Sequence, residues 1–495
     1  MIPLPPGSVT SSIFGPGVVH FPNLESEIGG DGKRQRFGPS LTRFAVALGR
    51  KDAIYVPDMM AHETAKVLEI NRRLGVTEAN PDHVIAVATS HPDAAFSKLV
   101  MGEIQDGLLG RHALPATFNP RVLLPHIAVA ESDHLARTLQ VMVPAKADSA
   151  RMANNKWLLK ENLMSRGVSV PQGCVIQTPD DAVAQYELLQ GIARRDPNEY
   201  TGEIWLKKAR ATQGKGVEPI ADLDQLRARL ADPYWSGCFG TNNVDDTVFL
   251  DVGIRTDDGI FSSPSVQINV GKEKKDDRVV FTTYQILITK PGEKRRTKHA
   301  GNFGPINRRD REQLMPMLDP IADWLRSIGA CGICGIDFIK SVTGRFYVCE
   351  VNFRHTGCSA QGFTFRRLQK NPWARAWASL SRIRVDRRSY NTTDYMAAVS
   401  EAGLAYRQEE GGLFLVSTTP PQCGLNIIHG GIVAATKADA LARIQRVDAL
   451  SRELYELEDG HGVLDSDLAA LGFASSRPGR KIGRRKATDS TELSL

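Results

Sequence analysis

The chain reads as an α/β protein, and three stretches carry that reading. Between about Leu41 and Pro144, short apolar runs (FAVAL, AIYV, HVIAVAT and RVLLPHIAVA) alternate with helical patterns such as His62 to Leu74 and Ser132 to Val141. Strands alternating with helices predict a parallel sheet. In the middle, GIDFI from Gly335 to Ile339 and FYVCEVNFRHTG from Phe346 to Gly357 read as two strands joined by a short turn, which gives this part an α+β character. Near the C-terminus, GLFLVSTTPPQCGLNIIHGGIVAAT places two strands around a Pro-Pro turn, and a helical pattern follows from Lys437 to Leu457.

A length of 495 residues suggests about three domains. The boundaries fall near 1–150, 151–385 and 386–475, with a tail at 476–495. A hydrophobic fraction of 42% with 24% charged residues describes an ordinary globular protein. There is no apolar run of about twenty residues, and MIPLPPGSVTSSIFGPG lacks the basic start and apolar core of a signal peptide, so a cytoplasmic protein that does not enter the membrane is expected. The net charge of +6 does not mark a nucleic-acid protein. Arg477, Arg480, Lys481, Arg484, Arg485 and Lys486 all fall in the polar tail, where disorder is expected, rather than on a folded basic stripe.

The middle hairpin carries the most chemistry. Asp337 lies on its first strand, and alternation puts Glu350, Asn352 and Arg354 on one face of the second. Two carboxylates and an amide oxygen suit a hard cation such as Mg²⁺, which shares its ligands with nucleotide phosphates. The alternative is one wet face of a sheet. The flanking Ile336, Phe338, Val348 and Val351 favour the metal, because carboxylates in an apolar setting must be paired or coordinate.

Upstream, ANNKWLLKENLMSRGVSVP predicts a helix from Ala153 that ends at Gly167. EIWLKKARATQGKGVEPI then reads as a strand with Lys207 and Lys208, followed by a loop bearing Gly214 and Gly216. Glycines let backbone N–H groups approach phosphate oxygens that lysines neutralise. A solvated lysine on a strand is the alternative.

The order of Lys156, Lys208, the glycine loop, DVGI at Asp251 to Ile254, and then Asp337, Glu350 and Asn352 resembles the ATP-grasp ligases. The resemblance covers about Arg151 to Leu380, and the GIDF and EVN pair is its most specific part. It implies a Rossmann-like domain ahead of an ATP-grasp body with a lid at about 200–255, and a small α/β C-terminal domain. In residues, it implies that Lys156, Lys208, Gly214 and Gly216 bind ATP phosphates. Asp251 to Ile254 would form a hinge that holds adenine through backbone groups. Asp337, Glu350 and Asn352 would bind Mg²⁺, with Mn²⁺ as a substitute. The implied reaction joins a carboxylate donor to an amine acceptor through an acylphosphate. A mobile lid at Arg210 to Val217, containing Lys215, is expected to exclude water. The three-region layout resembles the peptide ligases of pheganomycin biosynthesis, which implies a peptide acceptor; a free amino acid or other small amine is the alternative, and a homodimer is an assembly compatible with the layout. A non-enzymatic nucleotide-binding module is the remaining class, disfavoured by the intact set of acids and lysines.

One departure concerns the substrate. The D-alanine ligase branch places an arginine two residues before the metal aspartate, and this chain has Gly335. The oxyanion donor is then expected from Arg354 or from the basic run KPGEKRRTKHAGN, where Arg296 is the leading candidate. A salt bridge from Arg354 to Glu350 or Asp337, and a solvated basic loop, are the alternatives. Other features read as structural. Cys331 and Cys334 lack the second pair that zinc would want. The loop Gly29 to Ser40 is no dinucleotide fingerprint. His429 reads as a turn histidine. Pro316 and Pro320 predict a helix that begins near one of them.

Overall fold

A computed structural model describes residues 1–3, 9–21, 42–87, 118–126, 128–210, 216–257, 260–289, 296–369, 371, 373–385, 389–418 and 427–455. The strands described there gather into three sheets.

The first sheet contains β1 (Val18–Phe21), β2 (Ala53–Pro57), β3 (Val84–Val87) and β4 (Val122–Pro125), all parallel, in the order β3-β2-β1-β4. Helices α1 (Asp58–Arg73) and α2 (Ala130–Leu139) follow β2 and β4. β1, β2 and β4 are buried along their whole length, as the apolar strands of a parallel sheet are. The expected parallel sheet is present, but FAVAL is not one of its strands. Ala45–Ala47 forms a single 3₁₀ turn. The buried Asp52 carboxylate explains the reversal: it accepts from the N–H groups of Gly49 (2.8 Å), Val18 (3.0 Å) and Gly17 (3.2 Å), tying the turn to the entry of β1.

Helix α3 (Lys156–Ser165) leads into an antiparallel sheet of β5 (Gly173–Ile176), β6 (Tyr200–Lys208), β7 (Val217–Ile220) and β8 (Val248–Ile254), in the order β5-β8-β6-β7. α3 starts three residues later than the sequence suggested, because the Asn155 side chain accepts from the N–H groups of Trp157 and Leu158, both at 3.0 Å, and caps it there. Gly167 leaves the helix at φ +71°, the left-handed conformation its position predicts. Helices α4 (Asp181–Arg195) and α5 (Leu223–Ala231) bury Leu189 and Leu226 with Ile204 and Leu206 of β6.

The central sheet has nine strands among the described residues. Its elements in chain order are β9 (Pro264–Val270), β10 (Arg278–Thr289), β11 (Arg296–Gly304), α6 (Arg308–Ser327), β12 (Gly332–Lys340), β13 (Phe346–Asn352), α7 (Ser359–Leu368), β14 (Ala376–Arg384), β15 (Gly412–Ser417), β16 (Ile427–Ala434) and α8 (Lys437–Tyr455). The strand order is β13-β12-β9-β10-β11-β14-β16-β15, with Ile2–Pro3 paired to β10. Two expectations change here. α6 runs through both prolines, because Leu314, Leu318, Ile321 and Leu325 bury one face while Pro316 is exposed. The carbonyl that Pro316 leaves without its helical donor therefore lies on the wet side, where water can bond it. Of the two C-terminal strands, β16 hydrogen-bonds to β14 and β15 to β16, so they extend the central sheet instead of forming a sheet of their own. His429 lies within β16 and not in a turn, and Gly431, two residues on, passes beneath the Phe414 ring, whose Cζ would sit 2.3 Å from a Cβ there.

The parallel and central sheets meet around three histidines. His20 lies in β1, His126 follows β4, and His355 follows β13, its N–H donating to the His126 carbonyl at 3.1 Å. Phe44 stacks on His20 at 4.3 Å and tilts on His355 at 4.2 Å. Burial lowers the pKa values of His20 and His355 well below the ordinary 6.5, and the neighbouring His126 and Arg43 push them the same way. A folded pKa below the unfolded one gives stability that is complete above about pH 6.5 and is lost as pH falls, by about 1.4 kcal/mol per pH unit for each histidine. The thermal midpoint should therefore drop more steeply between pH 7 and 5.5 in the wild type than in His20→Gln/His355→Gln. Equal slopes would contradict this.

Candidate active site

The metal candidates come together on the hairpin of β12 and β13. The register pairs Gly335 with Asn352 and Asp337 with Glu350. The Asn352 side-chain N–H groups donate to Asp337 Oδ2 at 2.8 Å and to Glu350 Oε1 at 3.0 Å, and Arg354 Nη1 donates to Asn352 Oδ1. Lys156 Nζ lies 3.3 Å from Glu350 Oε2. Burial and the Glu350 charge push Asp337 up to about 7, against hydrogen bonds from Ser265 and Gln285 and the charge of Arg354. Burial would also raise Glu350, but Lys156 and Arg354 outweigh it and hold that carboxylate low. Two adjacent carboxylates, one of them short of positive charge, make a donor pair that fits a nucleotide-bound divalent cation, while the Asn352 oxygen accepts from Arg354. Among the described residues no cage of three or more His, Cys, Asp or Glu side chains is present. Phosphate oxygens would have to complete the shell.

Beside this cluster is a pocket lined by Lys156, Lys160, Lys207, Phe249, Asp251 and Cys349. β6 decides which lysine enters it. Ile204 and Leu206 face the helices α4 and α5, so Lys208 points to their side and Lys207 to the other. Lys208 donates to the Tyr234 carbonyl with its ammonium 3.6 Å from the Tyr234 ring centroid. Lys207 Nζ donates to Asp251 Oδ2 at 2.9 Å. The expectation for Lys208 is corrected accordingly: Lys207 is the pocket lysine.

The segment expected as the hinge, Asp251 to Ile254, lies on β8. Asp251 pairs with Gly173 on one side and Trp205 on the other, so its backbone is committed to the sheet and its buried carboxylate faces the pocket. Ile254 pairs with Tyr200 and packs in the core of the β5 to β8 sheet. Gly214 and Lys215 lie outside the described residues; Gly216 begins the return to β7 at φ +65° and accepts from the Lys208 N–H at 2.9 Å. Arg296 opens β11 opposite Thr289, about 20 Å along the strand from Thr283, which lies in the row of Asp337. Arg354 lies at the cluster, where its Nη1 donates to Asn352 Oδ1 and its charge acts on both Asp337 and Glu350.

Gly335 leaves no room for a larger residue. A Cβ there would lie 2.2 Å from Gln267 Nε2 and 2.7 Å from Thr356 Cγ2. Sequence reasoning missed Gln267, Ser265, Gln285 and Lys160, and it named Lys207 on its strand without choosing it over Lys208. Lys160 had a signal, since it follows Lys156 by four residues on one helical face. Ser265 and Gln285 had none, because only strand register brings them to Asp337. Cys334 is fully buried, and burial raises its thiol pKa, which agrees with a structural reading of the Cys331 and Cys334 pair. No described helix is long and apolar enough to cross a membrane.

No protein-family model matches the chain, and no curated protein matches it in sequence. Solved structures do match in fold. Biotin carboxylase of Campylobacter jejuni, in complex with a β,γ-ATP ligand, superposes with a TM-score of 0.51 at 12% identity over 90% of this chain and 95% of its own. The biotin carboxylase domain of Hydrogenobacter thermophilus 2-oxoglutarate carboxylase, with MgADP and bicarbonate, gives 0.52 at 12% over 89% and 90%. The ADP complex of PurK, an N5-carboxyaminoimidazole ribonucleotide synthetase, gives 0.51 at 11% over 92% and 99%. These are ATP-grasp enzymes, and the chain has the ATP-grasp fold.

Proposed function

We propose that the chain is an ADP-forming carboxylate–amine ligase that binds ATP with Mg²⁺. The observation that carries this reading is the Lys156 to Glu350 pair, which joins the lysine-lined pocket to the cluster of Asp337, Glu350 and Asn352. A carboxylate oxygen of the donor attacks the γ-phosphorus and ADP leaves. The amine nitrogen then attacks the acyl carbon, the bond to the phosphate oxygen breaks, and phosphate departs with an oxygen that began in the carboxylate; the amine gives up a proton. Positioning and charge neutralisation supply most of such catalysis. Asp337, Glu350 and Asn352 would hold Mg²⁺, which neutralises the phosphate charge when bound. Lys207 and Lys156 would meet the phosphates, and Arg354 the substrate carboxylate or the oxyanion.

Within that reading we take the donor as amino-acid-like and the acceptor as a peptide, in peptide natural-product biosynthesis in the cytoplasm. ADP release measured over a panel of carboxylates, amino acids, polyamines and short peptides, with products weighed by mass spectrometry, tests this. A new amide formed only with peptide acceptors is expected. An amide to a free amino acid or polyamine would replace the acceptor class, and ADP formed equally well with no amine present would overturn the ligase reading.

A further inference from the structure

Three charged side chains meet at the inner end of the pocket. Lys160, one turn beyond Lys156 on α3, donates its ammonium to Asp251 Oδ1, and Lys207 donates to Oδ2 at 2.9 Å. Lys160 and Asp251 are each 5% exposed and Lys207 is 16% exposed. The meeting is built into the fold by Gly173, directly across from Asp251 in the register. A Cβ there would lie 2.1 Å from Asp251 Oδ1, 2.5 Å from the Leu250 carbonyl and 2.8 Å from Lys160 Nζ. Only glycine leaves space for the Lys160 bond.

A buried carboxylate with one lysine would already be neutral. With two, the triad carries a net charge of +1, and desolvating an extra buried cation is costly unless an anion comes to it. Neighbouring groups do not cancel the surplus. The nearest further carboxylate, Glu350, is itself paired with Lys156. Burial lowers the pKa of Lys160 and would lower that of Lys207, but Asp251 outweighs this at Lys207, which rises; burial would raise Asp251, but the two lysines hold it low. Of the two lysines, Lys207 is the less buried and stands on the pocket side of β6, so the surplus positive charge is open to the pocket there.

We propose that Lys160 is a positioning residue of the nucleotide site: it neutralises Asp251 so that the ammonium of Lys207 is left for an anionic phosphate of the nucleotide. This rests on the nucleotide reading above. Removing Lys160 leaves Lys207 locked in a neutral pair with Asp251, and removing the Asp251 charge as well frees it again. The rescue separates charge balance from simple support of the fold.

The test is calorimetric binding of MgADP to the full chain as wild type, Lys160→Met and Lys160→Met/Asp251→Asn, with thermal midpoints alongside. Lys160→Met should weaken binding by about tenfold or more, and the double variant should return to within about threefold of the wild type. A single variant that binds as the wild type does, or a double variant that binds as weakly as the single one, overturns the proposal. Should the single variant fail to fold, the double variant, which buries no unpaired charge beyond Lys207, carries the same prediction alone. A wild type that binds no MgADP overturns the nucleotide reading itself, and this inference with it.

Discussion

Glu350→Gln should lower Mg²⁺-dependent ADP formation at saturating substrates by about 10³-fold or more, with the thermal midpoint held within a few degrees. The carboxylate is half-buried, next to a second carboxylate that burial and the Glu350 charge push up to about 7, and it is compensated by Lys156 and Arg354. Glutamine keeps the shape and still offers Asn352 an acceptor, while removing the charge that a divalent cation would need. The fold also gains something, because the repulsion between Glu350 and Asp337 disappears. Loss of turnover at unchanged stability is therefore the expected signature in a coupled ADP assay read beside a melting curve. Turnover within about threefold of the wild type would remove the metal assignment.

Lys207→Met and Lys208→Met should part company. The first removes the ammonium that faces the pocket and should raise the KM for ATP by about a hundredfold, the loss of a charged hydrogen bond in a partly desolvated site. The second removes a lysine that lies over Tyr234 and bonds its carbonyl, and should change kinetics by less than about threefold while costing about 1 kcal/mol of stability. Steady-state kinetics on both variants decides it. The reverse ranking would mean that β6 presents its other face to the nucleotide.

Which of these lysines enters the site was legible in the sequence, in the alternation of Ile204 and Leu206. That parity puts Lys207 opposite the apolar face, whereas the order of motifs alone pointed to Lys208. The cluster of Asp337, Glu350 and Asn352 was legible because a two-residue period on one short hairpin sets all three positions locally. Lys160 shares the face of Lys156 by helical spacing, but what it does there depends on Asp251, ninety-one residues away. Ser265, Gln285 and Gln267 reach the hairpin only through the pairing of β9 with β10 and β12, and such long-range register leaves no local mark. The same holds for the C-terminal strands: their turn and helix were visible, but their edge partner β14 was not. At α6 the apolar stripe outweighed two prolines, as tertiary burial commonly overrides local propensity.

The central claim is that a carboxylate is phosphorylated before the amine attacks. The direct measurement is oxygen transfer: a donor labelled with ¹⁸O in its carboxylate is turned over with ATP, Mg²⁺ and an acceptor, and the released phosphate is weighed. The account predicts one ¹⁸O in each phosphate, with ADP as the nucleotide product. Unlabelled phosphate, or label recovered in AMP, would contradict it.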